Sequence, residues 1–347
     1  MARIKYKAIL LFTNQLSSMV SSQLPLVPIL DGLSKESLSR GLLAIIRKVK
    51  EDVESGVDFG YAISQHPQVF DAIYVNMVKA GMATGRLDRT LAQLALYMQA
   101  TADTRGKLKT AFAYPLFMIG FLIIVFMFMT FKIMPTFQTL FASFGNRPLP
   151  LPTRIMMNTG KVVSGNFHWI IITVLLIIGG IIFILKNPTA RFYWDQYKLK
   201  IPLLGDLMKK AAMGKFLRAF AVLTQSEVLI IDSLNLVAGA GYNKYLEYQV
   251  NQAAEMIERG LSVAGAFKKT EFFPDIIIQM ITSGEKTGRL GELLEGAARF
   301  YDEQAEESLR NIVALVNPIL TVLTGATIGL MMIALFLPIF ELGGVMR

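Results

Sequence analysis

Ala80-Gly81-Met82-Ala83-Thr84-Gly85-Arg86-Leu87 returns 203 positions later as Ser283-Gly284-Glu285-Lys286-Thr287-Gly288-Arg289-Leu290, and this repetition governs how the remaining sequence is read. The same offset carries Phe70 onto Phe273, Met77 onto Met280, Leu91 onto Leu294, Pro115 onto Pro318 and Pro135 onto Pro338. Upstream, one additional residue shifts the offset to 204, pairing Phe12 with Phe216, Ser22 with Ser226, Leu30 with Leu234 and Gly56 with Gly260. So many coincidences over this length mark a tandem duplication. After each motif an apolar stripe follows at helical spacing. Leu91, Leu94, Ala95, Met98 and Ala102 form the first, and Leu294, Ala297, Ala298, Tyr301 and Ala305 the second. That period predicts amphipathic helices. Strand signals are weak, and breaks at Ser55-Gly56, His66-Pro67 and Gly81 to Gly85 divide each copy into about six helices.

Charge is distributed unevenly. Of 347 residues, 35 are Lys or Arg and 26 Asp or Glu, yet windows 110–131, 162–185 and 311–340 contain none of the four. The other 271 residues hold all the charge at 22.5%, an ordinary soluble density near 25%. Each window reaches the roughly 20 residues that a helix needs to cross a bilayer. The expected class is therefore an all-α membrane protein with two duplicated cytoplasmic helical-bundle domains and three transmembrane helices. Its expected boundaries are a first domain 1–109, spans 110–131, 162–185 and 311–340, a loop 132–161 on the opposite side of the membrane, a second domain 186–310 and a short tail 341–347. An unrepeated middle span lets two parallel copies keep one orientation. Lys and Arg next to the span ends slightly favour both domains, and the N-terminus, being cytoplasmic, in keeping with the lack of an N-terminal signal-peptide pattern. Of the +9 net charge, +5 lies in residues 1–109 and +4 in 132–161, while 186–310 is neutral. Anionic lipid headgroups or an acidic partner account for the excess, and nucleic acid does not, because no basic–aromatic interleaving accompanies it.

Chemistry-bearing motifs are missing. The chain has no Cys and two His far apart, so thiolate sites are excluded and a His-based metal site is not expected. Gly284-Glu285-Lys286-Thr287 lacks the spacing of a phosphate-binding loop, and no Gly-x-Ser-x-Gly or His-Glu-x-x-His occurs. The spans hold no carboxylate or ammonium, which weakens a transporter or channel reading. No catalytic residue, cofactor or metal is expected, and an assembly component is favoured over an enzyme. Gly81, Gly85, Arg86, Gly284, Glu285, Gly288 and Arg289 read first as a structural turn motif built on its glycines, with an acidic partner surface met by Arg86 and Arg289 as the alternative. Pro115, Pro318, Pro135 and Pro338 read as helix-start or kink residues. The run Asp302-Glu303-Gln304-Ala305-Glu306-Glu307 reads as a solvated helix face, with a cation site between subunits as the lesser alternative.

Duplicated helical domains, each with Gly-x-x-x-Gly-Arg-Leu and a downstream Pro-headed span, resemble the type II secretion F / type IV pilus inner-membrane platform family from about Phe12 to Phe340. Gly284-Glu285-x-x-Gly288 fits that family's motif, whereas Met82 replaces its Glu in the first copy. The corners Ser22-Gln23-Leu24 and Ser226-Glu227-Val228 stand where relatives often carry Gly. The resemblance implies a platform in the bacterial inner membrane that couples a cytoplasmic assembly ATPase to extraction and polymerisation of pilin or pseudopilin subunits. It further implies a homo-oligomer contacting membrane lipids and other inner-membrane assembly proteins. The compact length resembles the type IVb branch, with a type II secretion pseudopilus platform as the alternative.

Overall fold

A computed structural model describes residues 4–35, 39–136, 139, 150–240 and 243–345. Among these residues the secondary structure is helical throughout, with no strand. The helices are α1 (Tyr6–Ser21), α2 (Leu26–Leu33), α3 (Arg40–Glu54), α4 (Phe59–Ser64), α5 (Ala72–Ala83), α6 (Leu87–Phe128), α7 (Leu151–Gly165), α8 (Phe167–Lys186), α9 (Pro188–Lys198), α10 (Leu204–Gln225), α11 (Ile230–Gly239), α12 (Lys244–Glu258), α13 (Val263–Lys269), α14 (Asp275–Thr287) and α15 (Leu290–Val345). From α1 to α6 and from α10 to α15 the order of long and short helices is the same. Two helices are long and apolar enough to cross a membrane, within Leu87–Thr136 and Leu290–Leu337. Residues 137, 138 and 140–149 of the expected loop, and 346–347 of the expected tail, lie outside the described residues. What is described of that loop includes most of α7, whose last turn enters the window 162–185.

The chain divides into two compact units. The first joins Met1–Lys107 with Arg191–Ser308. Its core is built from the predicted stripes: Leu91, Leu94, Leu294, Ala297 and Ala298 are almost wholly buried, alongside Phe12, Phe70, Phe216, Phe220 and Phe267. At about 1.5–3 kcal/mol for each large side chain buried, this packing dominates the unit's stability. Turns between helices follow a common backbone rule. Gly56 and Gly260 adopt φ of 92° and 93°, and the next N–H reaches back to close the helix, Val57 to Asp52 O at 3.0 Å and Leu261 to Met256 O at 3.1 Å. Gln23 and Glu227 take the same left-handed region, φ 58° and 64°, at roughly 1–2 kcal/mol against a non-glycine side chain. That is why the corner resembles a glycine position.

The second unit comprises Leu108–Ala190 and Leu309–Arg347. Met129, Met134, Met156, Met331 and Ala334 form its buried cluster, and Thr153 Oγ1 donates to the Ala334 carbonyl at 2.7 Å. A π-helical turn, Met129–Ile133, interrupts the helix just before Pro135. Pro135 has no N–H for the Phe131 carbonyl, and widening the turn is one way the backbone accommodates that gap. Pro115 and Pro318 lie inside continuous helices rather than at their starts. Pro338 is also within α15. Four residues before Pro115 and Pro318 stand Ala111 and Ala314, where the proline ring crowds the backbone carbonyl.

The acidic run in α15 matches the expected solvated face at Glu303 and Glu307 and departs from it at two other positions. Asp302 turns inward and pairs with the largely buried Arg218 of α10, and Glu306 pairs with Lys107 at 2.5 Å. Glu303 and Glu307 remain exposed, as consecutive acids on a helix usually are, so only part of the run is drawn from water. Among the described residues no cluster of three or more metal-ligating side chains occurs.

His66, buried at the turn before α5, is held below the ordinary imidazole range by burial and by nearby Lys48. The fold thus favours its neutral form, so stability is full above about pH 6.5 and falls as pH drops through the unfolded value toward the folded one. His66→Gln is expected to flatten the acid loss of melting temperature between about pH 7 and 5. An unchanged slope in purified protein would assign that loss to other groups.

Candidate functional site

The repeated motif is a helix–turn–helix joint in which each position has a mechanical reason. α5 ends at Ala83, capped by Thr84, and Gly85 follows at φ 66°; α14 ends at Thr287, and Gly288 follows at φ 69°. In both, the Arg N–H reaches back to the first glycine, Arg86 to Gly81 O at 2.9 Å and Arg289 to Gly284 O at 3.1 Å. This double closure needs a left-handed residue that only glycine adopts without strain. The first glycine has a different reason. A Cβ on Gly284 would stand 2.7 Å from Leu290 Cα, and one on Gly81 would meet Thr90 Oγ1 at 2.8 Å and Leu87 Cα at 3.2 Å. The following helix starts against bare backbone, and Leu290 turns into the core.

Glu285 is a helix cap. Its carboxylate accepts the N–H groups of Val263 at 2.6 Å and Ala264 at 2.9 Å, while the Ser262 hydroxyl accepts that of Gly265 at 3.1 Å. Three donors otherwise orphaned at the start of α13 are thereby satisfied, with a negative charge at the positive end of the helix. In the first half Met82 occupies the matching position, exposed, and α4 has Asp58 accepting from Tyr61 N at 2.9 Å. The two arginines also differ. Arg86 pairs with Glu227 across 141 residues of sequence. Beside it Gln93 Nε2 donates to Gln225 Oε1 at 3.0 Å, the Ser226 hydroxyl donates to Gln93 Oε1 at 3.0 Å, and Gln225 Nε2 donates to Glu295 Oε2 at 3.1 Å. Arg289 instead reaches its own helix, donating from Nε to Glu292 Oε2 at 2.8 Å, on the wall of an open cleft of about 530 Å³. Gln225, Glu285, Arg289 and Glu292 line that cleft. Its groups are suited to recognising a charged surface.

Sequence reasoning missed Glu227, Gln93, Gln225 and Arg218 as partners. The left-handed corner around Glu227 was visible as a departure from glycine, but nothing local indicated which cation it would face.

An all-helical protein with two membrane-length helices and a duplicated turn motif is the class that these observations define. The sequence model of the family described as "Type II secretion system (T2SS), protein F" matches residues 12–135 and again 216–338, and the chain belongs to that family. A type IV pilus assembly protein PilC of Myxococcus xanthus is 31% identical over 344 residues, covering 99% of this chain and 82% of the relative. The Thermus thermophilus protein of that name is 30% identical over 343 residues, 97% of this chain and 83% of the relative. The type II secretion system protein F of Vibrio cholerae is 27% identical over 339 residues, 97% of this chain and 82% of the relative.

Replacing the motif residues should separate their roles by thermal unfolding in detergent. Gly284→Ala forces a backbone clash and is expected to cost about 2–3 kcal/mol, more than the 1–2 of Gly288→Ala. Glu285→Ala should cost about 1–2 kcal/mol and Glu285→Gln less, since one acceptor oxygen remains. A Glu285→Ala protein as stable as the parent would remove the capping role.

Proposed function

We propose that this chain is a polytopic inner-membrane platform protein of a type IV pilus assembly machine, non-enzymatic itself, coupling a cytoplasmic assembly ATPase to extraction and polymerisation of pilin subunits. The observation that carries the reading is the double match of one family to α1–α6 and α10–α15, together with near full-length relatives named for type IV pilus assembly. In this reading each matched stretch opens in a duplicated cytoplasmic domain, 1–109 or 186–310, and runs on into a membrane span. Three spans cross the bilayer, in windows 110–131, 162–185 and 311–340, with 132–161 periplasmic. The 20 residues of α8 supply about 30 Å of helix, the thickness of the hydrocarbon core. Subunits associate as a homo-oligomer among membrane lipids and other inner-membrane assembly proteins. The Vibrio cholerae relative favours a second reading, a platform for a type II secretion pseudopilus.

The charged cleft beside Gly288 is the proposed ATPase contact, with Arg289 and Glu292 as its exposed charges. Arg86 is proposed to hold the two domains together, because its partner is already within the chain. Arg289→Glu should lower recruitment of the assembly ATPase to membranes about tenfold and abolish surface pili, while Arg86→Glu should act mainly on stability. Normal recruitment and piliation with Arg289→Glu would remove the cleft from the contact. The natural lack of Cys allows topology to be read with single cysteines. Asn158→Cys should react with an impermeant maleimide from outside, and Tyr61→Cys and Asn251→Cys only after lysis; the reverse pattern would exclude a cytoplasmic motor.

A further inference from the structure

α9 presents an unusual face. Its inner side is firmly fixed: Phe192 meets the rings of Tyr245 and Tyr248 edge-on at 5.7 and 5.6 Å. Asp195, 3% exposed, accepts the Lys244 N–H at 2.7 Å, and the Asn243 amide donates to the Asp195 carbonyl at 3.3 Å. Anchored this way, the helix cannot roll, and its other side turns Tyr193, Trp194 and Tyr197 outward, with Leu203 and Leu204 exposed just beyond. Tyr193 and Tyr197 are 64% and 66% exposed, four residues apart on one face. Water is a poor solvent for three adjacent aromatic side chains, whereas Tyr and Trp partition to the boundary between lipid tails and headgroups.

Position in the chain selects the occupant. Only Asn187 separates α9 from the end of the apolar helix α8, and its Oδ1 accepts from Thr189 N at 3.0 Å, starting α9 at once. Whatever direction α9 takes, Trp194 remains within roughly 17 Å of Lys186 by chain length and helical rise. Charge agrees: residues 186–204 carry Lys186, Arg191, Lys198 and Lys200 against Asp195 alone. Arg191 and Lys198 share that single carboxylate, leaving a net +3 for anionic headgroups.

We infer that α9 is an interfacial anchor, lying in the headgroup layer with Tyr193, Trp194 and Tyr197 toward the lipid and its basic residues at anionic headgroups. This rests on the reading of α8 as a membrane span. It fixes the second domain at the membrane surface through a face that no turn motif uses.

The chain has two tryptophans, which lets the two claims be separated. Trp169→Phe leaves Trp194 as the only indole, and Trp194→Phe leaves Trp169 in α8 as a report on the span. Each full-length variant is reconstituted in bilayers of phosphatidylethanolamine and phosphatidylglycerol, and quenching by doxyl-labelled lipid is compared with quenching by aqueous acrylamide. Trp194 is expected to be shielded from acrylamide and quenched about twofold more by a label near the headgroup than by one at the chain end. Weaker lipid quenching in phosphatidylcholine alone is expected as well, and equal quenching there would overturn the anionic preference. Trp194 open to acrylamide while Trp169 is quenched by lipid overturns the anchor and leaves the span standing. Trp194 shielded from both quenchers also overturns it, pointing to a protein surface or a second copy. Failure of lipid to quench Trp169 removes the span and the anchor together.

Discussion

The approach of one helix start to the bare backbone of the preceding helix is the constraint from which the rest of the first unit follows. Gly284 lies so close to Leu290 that a single added carbon would fall within 2.7 Å of its Cα, and no rotamer change relieves a clash with backbone. The second glycine of the joint sets the direction of exit through its left-handed φ. Together they fix the rotation at which α15 leaves the turn, so that Leu294, Ala297, Ala298 and Tyr301 meet the core rather than water. The same holds for Gly81, Gly85 and the stripe of α6. Burial of those stripes contributes several kcal/mol in each half. The exposed ion pairs around them contribute at most about 1 kcal/mol each, and salt weakens them. Apolar packing therefore holds the unit together, and the charged groups decide which surfaces match.

Equal joints carry unequal chemistry. Where the second half has Glu285 bridging back to the start of α13, the first has Met82, and α4 relies on its own Asp58. A carboxylate that accepts two backbone N–H groups cannot at the same time serve an incoming partner without leaving those donors unsatisfied, a cost of about 1–3 kcal/mol. Glu285 is thus a support for the cleft wall more than a free contact. Arg86 is likewise committed to Glu227, on a corner that accepts a left-handed glutamate to place that carboxylate. Among the described residues the Arg289 side chain pairs within its own helix turn, and breaking such an i,i+3 pair costs little. Among the motif residues it is the one that a partner can recruit cheaply.

The sequence made the helices legible because their period is local: Leu91, Leu94, Met98 and their counterparts are separated by three and four residues, and burial follows from that spacing alone. The turn glycines were legible for the same reason, since a left-handed residue after a helix is a local demand. Pairings between distant side chains were not. Arg86 and Glu227 are 141 residues apart, and Asp302 finds Arg218 only once α10 packs on α15. Four acids within six residues look solvated when their neighbours are unknown. The helix α7 was also hidden in the expected loop, because Arg154 and Lys161 break the apolar run there while a proline beside its start and a helix-compatible sequence leave no strong stop. The outward aromatics of α9 were in plain sight, yet only the ring contacts of half-buried Phe192 and the burial of Asp195 on the opposite side give that helix a fixed inside and outside.

Along α6 and α15 the same logic runs in reverse. Leu116, Phe117 and Ile124, and Ile319, Val322 and Leu330, are exposed, several by more than 60%. At about 25 cal/mol for each Å² of apolar surface, leaving so many large side chains in water would offset the stability gained in the second unit's small methionine cluster. Helices that are apolar on every side require an apolar surrounding, and a length sufficient for a bilayer supplies one. Pro115 and Pro318 each free one backbone carbonyl, at Ala111 and Ala314, which in lipid has to be satisfied by a neighbouring side chain, a water or a local adjustment of the helix. Thr153, buried by its bond to the Ala334 carbonyl, meets the same requirement for a polar group away from water. The two units thus rest on different physics, close packing of buried side chains in the first and an apolar surrounding for exposed apolar helices in the second.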